Sequence, residues 1–247
     1  MTQGIYLYCI ADTIDAPSLG QMGIDSCEVA TVPYKNLSLV THVVKTLAPF
    51  ENRERTKEWV EAHHRVIEQA MKKYGTVLPF ALGTVIRGGE TELKAWLETE
   101  YFHLTKNMEN VRGIAEYGVQ IFWFPSHELH RLTATEESLK EFKAKSEGSD
   151  GIAYLYRQRF EKELKSVLER RAQEKFLYFF EKIKGCVSKV AIERIKDCDG
   201  EKQMLLHVSC LADSAQMEVL GEVLETIQNE EDPVCFTGPW PPYAFSN

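Results

Sequence analysis

The sequence predicts an α+β protein of two domains, and three observations lead there. The chain has 247 residues with 44% apolar and 27% charged, the balance of a globular protein with enough length for two cores. It opens with short β-rich runs rather than helices. Amphipathic helical segments then alternate with strands, and no internal repeat is evident.

Gly4–Ala11 (GIYLYCIA) is rich in β-formers and stops at Asp12, after which Pro17, Gly20 and Gly23 break regular structure. Cys27–Pro33 and Leu37–Val44 read as two strands of a hairpin around Tyr34-Lys35-Asn36. From about Arg53 to Tyr74, Trp59, Val60, His63, Val66, Ile67, Ala70, Met71 and Tyr74 recur at helical spacing, and Gly75 ends the helix. The run Val77–Ile86 is extended, but Pro79 gives no ladder hydrogen bond and predicts an edge or interrupted strand. After Gly88-Gly89 a second helix runs from Glu90 to about Lys106.

Glu116–Phe124 (EYGVQIFWF) is a strand ended by Pro125, followed by a polar helix from about His127 to Lys145. A small-residue break at Ser146–Gly151 leads into a long helix from Ile152 to Lys184. Val187–Lys196 and Met204–Ala212 are strands around the turn Asp197–Glu201; Asp213 caps a helix to about Gln228, and Val234–Thr237 is a last strand. From Glu116 onward the order is therefore βαββαβ, that of a ferredoxin-like domain with an expanded first crossover. The domains expected are 1-114 (a smaller related α/β layer), 115-236 (ferredoxin-like) and a Pro/aromatic tail, 237-247.

Lys+Arg is 29 against Asp+Glu 37, a net charge of −8, which repels phosphate backbones and anionic headgroups; no nucleic acid and no lipid membrane are expected as partners. Ile5–Ala11 is too short to span a bilayer and lacks a preceding basic cluster, so no signal peptide is expected and the location expected is cytoplasmic. The cysteines at 9, 27, 186, 198, 210 and 235 form no C-x-x-C and read as free thiols, mostly buried.

Neighbouring His63-His64 point about 100° apart on a helix, the wrong geometry for a shared zinc, and His63 falls on the apolar stripe as a hydrogen-bonded core residue. His127 and His130 share a helix face without a further ligand, and read as surface residues. Neither phosphate-binding glycine pattern occurs, nor does a G-x-S-x-G elbow, and the carboxylate pairs Glu136-Glu137 and Glu230-Glu231-Asp232 read as solvated charge. No catalytic residue, cofactor or metal ligand is assigned, and the chain is not expected to be an enzyme.

The informative segment is the tail, Thr237-Gly238-Pro239-Trp240-Pro241-Pro242-Tyr243-Ala244-Phe245. Its prolines keep it out of a central strand and make it extended, near polyproline II. Two readings stand for Trp240, Pro241, Pro242, Tyr243 and Phe245: they fold back over a sheet or seam, or they form a rigid aromatic ligand for another protein.

This tail, the opening GIYLYCIA, the block His64–Ile86 ending VLPFALGTVI, and EYGVQIFWF together resemble the gas vesicle protein F/L family (GvpF/GvpL) along essentially the whole chain. The tail and the VLP…GTV block are the specific parts. Phe80-Ala81-Leu82 stands where the family usually carries a basic residue, and Tyr117-Gly118 where it often has Trp-Gly. These motifs do not separate the F from the L member, though the resemblance leans toward F.

The resemblance implies a cytoplasmic, non-enzymatic accessory factor for building gas vesicles, associated with the small wall protein and other accessory proteins, and a minor component of the vesicle. A wall subunit exposes an apolar face before assembly, and a soluble acidic partner keeps that face from aggregating. The alternative is a small-ligand-binding or enzymatic ferredoxin-like protein, since such folds host many sites.

Overall fold

A run as apolar as GIYLYCIA needs cover on both faces. In the computed structural model, which describes residues 3–46, 57–146, 151–198, 200–229 and 232–246, it forms β1 (Gly4–Ala11) with every residue buried. Its register against β4 (Leu37–Val44) passes from Leu7 opposite Thr41 to Cys9 opposite Val40, so Tyr8 is the extra residue of a β-bulge. The bulge breaks the alternation of faces. Tyr6, Tyr8, Cys9 and Ala11 all serve the core beneath helix α1 (Lys57–Tyr74), while Ile5, Leu7 and Ile10 serve the core beneath α2 (Glu90–Val111).

The remaining strands here are β2 (Gly20–Gln21), β3 (Glu28–Tyr34), β5 (Val77–Pro79) and β6 (Val85–Arg87), in the order β2-β3-β4-β1-β5 with β6 also on β1. Pro79 interrupts the extended run, as expected. The β3–β4 turn is shorter than expected: Tyr34 pairs with Leu37, and Lys35 takes a φ of 54°, the positive value that a two-residue hairpin turn requires at its first central position. Helix α2 continues five residues beyond Lys106 because Met108 and Val111 extend its buried stripe. The expected start of α1 at Arg53 lies outside the described residues.

The second sheet has the order β10-β7-β9-β8, from β7 (Ala115–Trp123), β8 (Lys189–Ile192), β9 (Gln203–Ala212) and β10 (Val234–Trp240). Pro125 does more than end β7. It occupies the first turn of α3 (Pro125–Thr135), where its missing N–H costs nothing. The single polar helix expected next is two, α3 and α4 (Glu137–Ser146), which pack through Leu132 and Leu139 against Val167 of the long helix α5 (Gly151–Lys184). With α6 (Ser214–Asn229), α5 covers a core of Val119, Ile121, Phe179, Leu206 and Leu220. Most of the break expected at Ser146–Gly151 lies outside the described residues.

The fold is thus mixed α/β with two antiparallel sheets and helices. It divides into two compact units, Met1–Tyr117 with Leu211–Asp213 and Gly238–Asn247, and Gly118–Cys210 with Ser214–Thr237. The last strand runs on through Gly238 and Pro239 to Trp240, where the sequence predicts a polyproline-like tail. β10 ends the strand order, and an edge strand tolerates proline. The six cysteines are thiols outside any disulfide, but only Cys9 and Cys210 are buried.

Candidate functional site

Beyond Trp240 the chain turns inward. Pro241 and Pro242 are buried, and Tyr243–Phe245 form one 3-10 turn. Tyr243 packs on the α1-side core with its ring 5.0 Å from that of His64, whereas Phe245 packs on the α2-side core. Between them the Ala244 N–H donates to Glu116 Oε2 at 2.8 Å. Glu116 is itself buried, the second residue of β7. The Tyr243 hydroxyl is buried without a hydrogen-bond partner among the described residues, and burial, with Glu68 nearby, raises its pKa.

Trp240 behaves differently from the residues after it: it stays 38% exposed. With Gly238, Pro239 and Pro241 it forms one wall of a groove of about 330 Å³, and Glu68, Met71 and Lys72 of α1 form the other. Gly238 is required there. Its φ is 123°, and a Cβ would lie 2.9 Å from both Glu116 O and Tyr117 Cδ1.

Next to this docked tail lies a buried aromatic and histidine cluster. Tyr6 OH is 2.9 Å from His63 Nδ1, and His63 Nε2 is 3.1 Å from Phe80 O. A carbonyl only accepts, so Nε2 carries the proton and Nδ1 accepts from the Tyr6 hydroxyl. That hydroxyl also accepts the Gly83 N–H at 3.1 Å. The Phe80 N–H donates to the bulge carbonyl of Tyr8 at 2.9 Å, so both ends of the Phe80–Gly83 loop are held from β1 and α1. His42 stacks on Tyr6 with ring centres 5.0 Å apart, and its Nδ1 has no partner among the described residues. Burial pushes the pKa of both His42 and His63 down to about 4.

His63 is therefore the hydrogen-bonded core residue that its helical position indicates. His127 and His130 are exposed, with His127 against Phe124. Glu136 lies 3.7 Å from Arg170, a paired rather than simply solvated charge; Glu230 and Glu231 lie outside the described residues. Asp232, expected to be solvated, is instead buried and paired with Lys175 at 2.5 Å, and buried Glu128 pairs with Arg171 at 3.0 Å. Sequence reasoning found the tail but missed Glu116, His64, Glu68, Met71 and Lys72. The one available signal was the acid at the head of EYGVQIFWF.

Three contacts tie together the four segments that carry the sequence resemblance. Tyr6 of β1 meets Gly83, His64 meets Tyr243, and Glu116 meets Ala244. The family described as gas vesicle synthesis protein GvpL/GvpF matches residues 4–247. The chain belongs to the GvpL/GvpF family.

Among individual GvpL/GvpF relatives, the chain is 27% identical to gas vesicle protein L1 of Halobacterium salinarum, covering 100% of this chain and 91% of that protein. It is 25% identical to gas vesicle protein F1 of the same organism, covering 99% and 93%. Its fold is similar to the crystal structure of the gas vesicle protein GvpF from Anabaena sp. PCC7120, with a TM-score of 0.80 at 22% identity, covering 99% of this chain and 98% of that one. The GvpF structure from Microcystis aeruginosa is also similar, with a TM-score of 0.70 at 18% identity and 99% of each chain covered. Membership carries a gas vesicle-related role and association with other gas vesicle proteins, in a family named for gas vesicle synthesis rather than for a catalysed reaction. Among the described residues, no helix is long and apolar enough to cross a membrane.

Proposed function

We propose that this chain is an accessory and minor structural protein of gas vesicles that binds the hydrophobic wall-forming subunit in the cytoplasm and assists its assembly. The observation that carries this reading is the split character of the tail. Pro241–Phe245 anchor it, while Trp240 remains half-exposed beside the Met71 groove. An aromatic ring on a rigid backbone loses little freedom on binding, and such residues supply much of the energy of an interface. The groove suits an apolar segment, and the net charge of −8 keeps the complex dispersed. Catalysis has no part in this role. The strand order β10-β7-β9-β8 also supports the ferredoxin-like reading of the second unit, used here as a scaffold.

Co-expression of the tagged chain with the wall protein tests the proposal. Co-purification is expected. Its absence, together with normal vesicles in a deletion strain, overturns it.

A further inference from the structure

The outer edge of β8 is built to match itself. Among the described residues, only β9 is hydrogen-bonded to this strand. The sequence from Val187 to Lys196 has strand character, yet the fold pairs just Lys189–Ile192 and leaves Ile192 61% and Ile195 51% exposed. The Glu193 N–H donates to His207 O of β9 at 2.8 Å. Backbone groups alternate along a strand, so Lys189, Ala191 and Glu193 turn theirs toward β9, while Val190 and Ile192 turn theirs outward. Lys189 and Glu193 share one face of the strand, and neither side chain has an ion-pair or hydrogen-bond partner among the described residues.

We propose that a second copy of this chain docks here, adding its own β8 antiparallel across a two-fold axis at Ala191. In that register the outward groups of Val190 meet those of Ile192 from the second copy, and Val187 lies opposite Ile195. Lys189 lies opposite Glu193, and the symmetry makes each of these pairs twice. Shifting the axis to Val190 or Ile192 sets Lys189 opposite Ala191 or Ile195 and leaves both charges without a counter-charge. An axis between two residues opposes inward to outward backbone groups and forms no ladder. Edge strands ordinarily use charge to repel their own kind, whereas here the opposite signs four residues apart attract it. One added strand buries less than the roughly 1,200–2,000 Å² of a stable interface, so the association is weak and concentration-dependent.

Sedimentation equilibrium of the full chain from micromolar to millimolar concentration tests this, and a monomer–dimer equilibrium is expected. Lys189→Glu opposes two acids across the axis and is expected to weaken the dimer at least tenfold. The double variant Lys189→Glu with Glu193→Lys re-forms both pairs with exchanged sign and is expected to restore it. A monomer at every concentration, a dimer indifferent to Lys189→Glu, or a double variant as weak as the single one overturns the proposal.

Discussion

The phenolic oxygen of Tyr6 lies 2.9 Å from Nδ1 of His63, and this contact joins the central strand of the first sheet to the helix above it. The same oxygen accepts the Gly83 N–H, so one hydroxyl fixes α1, β1 and the β5–β6 loop together.

Removing that hydroxyl leaves a buried imidazole nitrogen and a loop N–H unsatisfied. Tyr6→Phe is therefore expected to lower stability by about 1–3 kcal/mol, with no cavity opened. Urea unfolding followed by tryptophan fluorescence measures it; an unchanged midpoint contradicts the assigned hydrogen bonds.

His42 and His63 make stability depend on pH. Both are held neutral in the fold by burial, with pKa values near 4 against an ordinary 6.5; for His42, Asp25 slightly opposes the shift. The unfolded chain binds the proton near 6.5 and the fold does so only near 4, so stability is full above about 6.5 and is lost as pH falls toward about 4. The loss is expected to approach about 3 kcal/mol per histidine. Unfolding midpoints across that interval check it, and His42→Leu should flatten the slope by about half.

The tail was legible in the sequence because prolines and aromatics seldom cluster without purpose, but its course was not. Nothing local to Pro239 and Trp240 says that they continue an edge strand. That depends on β7 lying alongside, a long-range pairing. The bulge at Tyr8 was equally hidden, because GIYLYCIA is apolar at every position and offers no alternation from which to read a slip. Helix α1 was legible through its stripe, and so was His63 as a core residue. The division of the His127–Lys145 segment was not, because its polar residues fit one helix or two.

Gly238 is expected to be irreplaceable. Gly238→Ala forces a Cβ into Glu116 O and Tyr117 at 2.9 Å on a backbone with φ of 123°. A loss of about 1–3 kcal/mol is expected from the backbone alone. Protease resistance of the C-terminal segment should fall with it; an equally resistant variant contradicts the close approach.

Trp240 and Tyr243 are expected to separate in their effects. Tyr243→Ala empties a site in the α1-side core and should cost about 3 kcal/mol in thermal or urea unfolding. Trp240→Ala, at a position 38% exposed, should cost less, about 1–2 kcal/mol. Equal losses contradict the division of the tail into anchor and lip.

The central claim is that the molecule acts by covering another polypeptide's apolar surface at the Trp240 groove. Binding of the wild-type chain and of Trp240→Ala to the solubilised wall subunit, measured side by side with their unfolding curves, tests it most directly. The result expected is affinity reduced at least tenfold, with stability lowered by only the about 1–2 kcal/mol of the partial burial of Trp240. Identical affinity for the two chains contradicts it.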